Sequence, residues 1–158
     1  MMLRTVFALS CALSIGAVPA VAMADASVAA RLDARGIQYV VDEDGDYKVT
    51  YNYTAEGRTQ LVFVSGATES FEGIKIREVF APAAWVDRDN VDGARALELL
   101  RDSRGQKIGA WEIGGDVLYY VVKVPDSIDA AQLETVMDIA AGTADNKEIE
   151  LSGDRDEL

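Results

Sequence analysis

Tyr47, Val49, Tyr51 and Tyr53 alternate with Lys48, Thr50 and Asn52. That period of two marks a half-buried strand. Asp44-Gly45 separates this strand from the apolar run Ile37–Val41, and an Asp-Gly pair between two such runs predicts a hairpin. Gly57 makes a second turn. Thr59–Ser65 shows little alternation and reads as a central, covered strand. Gly73–Phe80 is a fourth strand, with Ile74 and Ile76 on one face, Lys75 and Arg77 on the other, and Pro82 ending it. Lys107–Ile113 and Val117–Val124 flank Gly114-Gly115-Asp116 as a second hairpin, closed by Pro125.

Three segments read as helices. Ser27–Arg35 has Ser27 as N-cap and Gly36 just past its end, and packs through Val28, Ala29 and Leu32. Asn90–Arg104 is capped by Asn90 or Asp92, carries an apolar stripe of Ala96, Leu97 and Leu100, and stops at Gly105. The third is capped by Asp126 or Ser127. Its Leu133, Val136, Met137 and Ala140 fall at i, i+3, i+4 and i+7. Gly142 weakens it, with Glu148–Leu151 as a continuation beyond a kink. Leu97 and Val136 are predicted core residues.

The order is therefore α-β-β-β-β-α-β-β-α. Hairpin connections imply an antiparallel sheet of five to six strands, and three amphipathic helices need one face of it to cover. The fold class is α+β. At 158 residues one domain is expected. It runs from 25 to 152, with a charged tail at 153–158 and no internal repeat or linker.

The first 24 residues read as an address. Arg4 gives a positive start, Val6–Val18 is almost wholly apolar, Pro19 breaks the run, and Ala22-Met23-Ala24 suits signal peptidase, with cleavage before Asp25. Cuts after Ala22 or Ala26 are alternatives. The apolar run falls short of the roughly 20 residues that span a bilayer. Stable membrane insertion after cleavage is not expected, nor is a lipid anchor at Cys11. The expected location is periplasmic or secreted.

Fifteen basic and 27 acidic residues give a formal net charge of −12. Cleavage removes Arg4 and no acid, which deepens the charge by one. So acidic a surface repels nucleic acid and anionic lipid. Histidine is absent and Cys11 is the only cysteine. This excludes Ser-His-Asp and Cys-His chemistry, histidine metal sites and zinc fingers. The processed chain is exported without a thiol, so its core alone must hold it.

The element order, the DEDGD turn at 42–46 and the stretch Ala140–Leu151, with its Ala144-Asp145 pair, resemble the YbjN family. The resemblance covers residues 28–151. That family comprises bacterial sensory transduction regulators with a fold similar to type III secretion chaperones. It implies an α+β domain of regulatory or chaperone-like character, and it carries over no catalytic residue. Members are commonly cytoplasmic, whereas this chain begins with an export signal.

Several motifs invite chemistry. In DEDGD, placing Gly45 at position 6 of a calcium loop puts Val40 at position 1 and Tyr51 at position 12, and neither is a ligand. A hairpin turn is the better reading, and no metal or cofactor is expected. Arg155-Asp156-Glu157-Leu158 is close to an endoplasmic-reticulum retrieval signal, and Asn52-Tyr53-Thr54 is a formal sequon in mid-strand. Endoplasmic-reticulum residence is one alternative. Glu69, Glu72, Glu78, Asp87 and Asp89 could supply the carboxylate pair of a periplasmic hydrolase, but no site-shaping motif accompanies them.

Phe71, Phe80 and Trp85 crowd a stretch that reads as irregular, with Trp85 in a loop after Pro82. Exposed aromatics are the usual anchors of a binding surface. The expected function is an exported, non-enzymatic binding or regulatory module. It would hold a protein or peptide partner, or a second copy of itself, through these three residues.

Overall fold

The computed structural model describes residues 24–153 and 155–158. The segment read as a signal peptide lies outside these but for its last residue, Ala24. The chain folds as α+β in the order α1 (Ala26–Ala34), β1 (Val40–Val41), β2 (Tyr47–Tyr53), β3 (Arg58–Val64), β4 (Glu69–Phe71), β5 (Ile74–Trp85), α2 (Gly93–Gly105), β6 (Ala110–Gly114), β7 (Val117–Pro125) and α3 (Ala130–Ser152). The sheet is antiparallel, with strands ordered β1-β2-β3-β5-β7-β6, and β4 folds back onto β5. It has seven strands where the sequence suggested five to six. The addition is β4, three exposed residues too short to leave a periodic pattern.

The long central strand β5 did not end at Phe80. It runs through Pro82 to Trp85, with a register shift between Pro82 and Ala84. The reason lies in where Pro82 points. Ser65 N–H donates to the Glu78 carbonyl, so even-numbered positions of β5 direct their backbone groups toward β3. Register pairing with β3 stops at Phe80. Beyond it no strand asks Pro82 for an N–H, and the Gln60 side chain donates to its carbonyl at 2.8 Å. A proline is tolerated in a sheet where no ladder bond is lost.

All three helices lie on one face. α3 crosses β5, β3 and β7, α1 packs beside α3, and α2 covers β6. Ala140, Ala141 and Ala144 of α3 share a fully buried core with Ala81, Ala83 and Ala84 of β5. Small residues on both layers let helix and strand approach closely. Leu133 and Met137 fill the wider part beside Val28 and Leu32 of α1. Helix α3 runs unbroken through Gly142, so the expected kink is absent.

The caps differ from the simplest reading. Asp25, not Ser27, caps α1, and its side chain accepts from Ser27 N–H at 2.9 Å. Asp92 caps α2. Asp129, not Asp126 or Ser127, caps α3 in a reciprocal box with Gln132. In each case the chosen aspartate sits where its carboxylate reaches the second or third helical N–H.

Val136 is buried as expected. Leu97 is not a core residue, being 53% exposed, and Leu100 is 63% exposed. Leu99 is buried instead. Helix α2 covers only the short edge strand β6, so one leucine and the flank of Ala96 meet its whole packing need. Leu133→Ala should therefore cost about 2–5 kcal/mol through lost burial and a cavity. Leu97→Ser should stay within about 0.5 kcal/mol, as surface changes do. Urea unfolding of both variants checks the assignment.

Candidate binding surface

With the helices on one side, no helix among the described residues covers the other side of the sheet. Opposed residues in an antiparallel pair share a face. The registers Phe63↔Phe80, Phe80↔Val121 and Pro82↔Tyr119 thus place these side chains together, away from the helices. Phe63 and Phe80 stack at 5.2 Å between centroids and 8° between planes. Tyr119 meets Phe80 edge-on at 5.8 Å and 81°. All three rings, and Leu61 beside them, are half-exposed. Burial raises the pKa of the Tyr119 hydroxyl, aided by the charge of Asp116.

The three residues singled out from the sequence share this face but do not cluster. Phe71, 74% exposed, stands on β4 opposite Ile74. Trp85 ends β5 opposite Val117 rather than lying in a loop. Ten residues of strand separate Ile74 from Trp85, about 35 Å of extended chain. Phe80 lies between them. Trp85 is half-buried, with the Arg88 guanidinium 5.8 Å from its ring centroid. The residues that surround Phe80 are instead Phe63, Tyr119 and Leu61, which the sequence reading passed over. They sit inside apolar runs, and only the register that sets Phe63 against Phe80 brings them to this face.

Charges cross this face in one row. Lys123 Nζ lies 3.4 Å from Glu78 and 2.7 Å from Glu112, linking β5, β7 and β6. Glu78 and Glu112 also line a shallow depression with Phe80, Tyr119 and Val121. Two acids and aromatic walls thus meet, as a glycoside-cleaving site would require. The two carboxylates, however, share the Lys123 ammonium between them. Both carboxylates are more than two-fifths exposed. Of the other candidate acids, Asp89 is committed to structure. It accepts the Trp85 N–H at 2.8 Å and Arg155 at 2.5 Å.

The remaining charge clusters are internal. Arg77 on the helix side is wholly buried and donates to Asp25 and Asp126, each at 2.7 Å, and to the carbonyl of Ser65. Arg58 binds Asp145 at 2.9 Å and Glu148 at 2.8 Å. Burial raises the pKa of Glu148. In the acidic turn, Asp42 accepts from the amides of Asp44 and Asp46 at 3.1 and 2.9 Å, and Asp46 accepts from Gly66 N–H at 2.8 Å. Those carboxylates hold the turn itself.

The charged C-terminal tail is docked at residues 155–157. Thr59 N–H and hydroxyl donate to Asp156. Glu157 N–H donates to Glu148 at 3.1 Å, and Arg88 pairs with the Glu157 carboxylate.

No helix among the described residues is long and apolar enough to cross a membrane. No family model matches the chain, and no curated protein does. The YbjN resemblance therefore stands on the order of elements and the short motifs that suggested it.

Burial pushes the Asp126 carboxyl up, but the hydrogen bonds and charges of Arg77 and Arg31 prevail and hold it below the ordinary range. The native state thus binds this proton less readily than the unfolded chain does. Its stabilisation is full at neutral pH and is lost as pH falls below about 4. Asp126→Asn should flatten that acid limb and destabilise the protein at pH 7 by about 3 kcal/mol, the lower end for breaking a buried pair. Urea midpoints measured across the acid range for wild type and variant decide this.

Proposed function

We propose that the protein is an exported, non-enzymatic binding module of YbjN type that works through the bare face of its sheet. The observation that carries this reading is the stack of Phe63, Phe80 and Tyr119, half-exposed on a face that no helix among the described residues covers. Its occupant is a protein or peptide partner, or a second copy of the chain. The buried ion pairs are spent on holding elements together, which leaves apolar surface as the means of contact.

Salt should strengthen such an association. Two copies of so acidic a chain repel at long range, and about 0.15 M salt screens this beyond roughly 8 Å. Completing the burial of a half-covered ring then contributes about 2–3 kcal/mol, taking half of the ~150–250 Å² an aromatic buries at ~25 cal/mol/Å². Sedimentation at about 50 and 500 mM salt should show tighter association at the higher value. Phe80→Ser should weaken it about tenfold or more. Association that weakens with salt and ignores Phe80→Ser overturns the reading.

Export is supported by the way Asp25 is used. Its N–H donates to the Gly66 carbonyl, its carbonyl accepts from the Tyr47 hydroxyl, and its carboxylate caps α1 and pairs with Arg77. Cleavage before Asp25 keeps every one of these except the amide, which becomes an ammonium able to donate to the same carbonyl. Cleavage after Ala26 destroys them. N-terminal sequencing of the exported protein should read Asp25 first. The docked Arg155, Asp156 and Glu157 speak against a retrieval signal, which a receptor must take from solvent.

The hydrolase reading keeps one observation in its favour, the convergence of Glu78 and Glu112 beside Phe80 and Tyr119. Glycosidase activity abolished by both Glu78→Gln and Glu112→Gln would establish it in place of the binding module.

A further inference from the structure

Helix α2 turns a second kind of surface to solvent. Leu97, Leu100, Arg101 and Arg104 stand at i, i+3, i+4 and i+7, one stripe of the helix, and all four are exposed. Beside the stripe, a groove between α2 and β6 is lined by Ala96, Leu99, Leu100, Trp111, Ile113 and Leu118. Leu100 and Ile113, 63% and 51% exposed, form its lips. The groove does not invite a simple added strand, because Ser103 Oγ accepts the outward N–H of Trp111 at 3.0 Å.

The charges here are unlike those elsewhere. Among the described residues, every basic side chain outside this segment except Lys48 and Lys75 takes part in an ion pair. Arg95, Arg101, Arg104 and Lys107 take part in none. A chain with 27 acids thus leaves four cations unpaired on one helix and the loop after it, beside exposed leucines. The Asp102 carboxylate, next to Arg101 in the chain, accepts instead from Trp111 Nε1 at 2.7 Å and from Gln106 Nε2 at 3.2 Å.

We propose that this face docks an acidic, leucine-bearing segment of a partner protein. An apolar side chain of the partner enters the groove between Leu100 and Ile113, and its carboxylates meet Arg101, Arg104 and Lys107. Unpaired arginines favour carboxylates because the guanidinium fork offers paired donors. A second copy in the two-fold arrangement would bring arginines near arginines. An anionic membrane is disfavoured by the net charge of the whole chain. This surface lies on the helix side and shares only Ile113 with the depression beside Phe80, so either can fail without the other.

The probe is a fluorescent, helix-forming peptide of about 15 residues built only of leucine and glutamate, with a leucine-lysine peptide as control. Full-length processed protein should bind the acidic peptide and not the basic one, measured by anisotropy. Trp111 emission should shift as the groove fills. Binding should weaken several-fold as salt rises from about 50 to 500 mM. Arg101→Glu with Arg104→Glu should weaken it about tenfold or more, as should Leu100→Ser, while Phe80→Ser leaves it unchanged. These exposed positions give little risk to folding, which circular dichroism checks. Any of the following overturns the proposal: equal binding of the basic peptide, no binding up to about 1 mM, indifference to the arginine reversals, binding to phosphatidylglycerol vesicles in place of the peptide, or a dimer that the α2 substitutions dissolve.

Discussion

A guanidinium with no solvent contact organises this molecule. Taking an arginine out of water is costly unless every donor finds an acceptor. Arg77 meets that demand with parts from three separate segments: Asp25 ahead of α1, the carbonyls of Ser65 and Ala67 after β3, and Asp126 after β7. None of these segments is long enough to hold its position alone. The arginine therefore fixes where α1 begins and where the chain turns from β7 into α3. It sits on the helix side of β5, one residue out of phase with Glu78 and Phe80. As far as the register shift after Pro82, the same strand thus meets the helices through its odd positions and leaves the aromatic stack to its even ones.

Arg58 repeats the device at the other end of α3. Asp145 and Glu148 reach it from the helix, and the segment 155–157 closes over the same region by way of Thr59 and Glu148. Five of the 27 acids are thereby committed to structure. Asp25, Asp89, Asp126, Asp145 and Glu148 are each committed to a named cation. What the acids leave over is equally informative: among the described residues the cations of α2 have no such partner.

The pattern of apolar positions was enough to place three helices on one face of an antiparallel sheet. It was strongest where geometry enforces a period, as in Tyr47–Tyr53 and in Leu133 through Ala140. It failed at α2 because Leu97, Leu99 and Leu100 offer two faces of similar hydrophobicity. Only the shortness of β6 decides between them. It failed at Pro82 because a proline reads as a strand end unless one knows that β3 has already stopped. The aromatic face was half legible. Phe71, Phe80 and Trp85 do share a side of the sheet, but their separation follows from a strand longer than the sequence implied. Phe63, by contrast, was hidden inside a run that reads as wholly covered. The cap of α3 was written plainly as Asp129 followed three residues on by Gln132, and the earlier Asp126 was needed elsewhere.

The row from Glu78 through Lys123 to Glu112 has a bearing on what the bare face can become. A flat, aromatic sheet surface is a template on which copies can stack without limit into fibrils. Here an ion-paired bar lies across three strands. A second flat sheet laid over the whole face would have to strip water from all three charges, with only their mutual attraction in return. A narrow occupant seated on Phe63, Phe80 and Tyr119 avoids that cost. Such a bar disfavours a second sheet more than a narrow segment, so half-exposed aromatics on this face need not drive copies of the chain to stack.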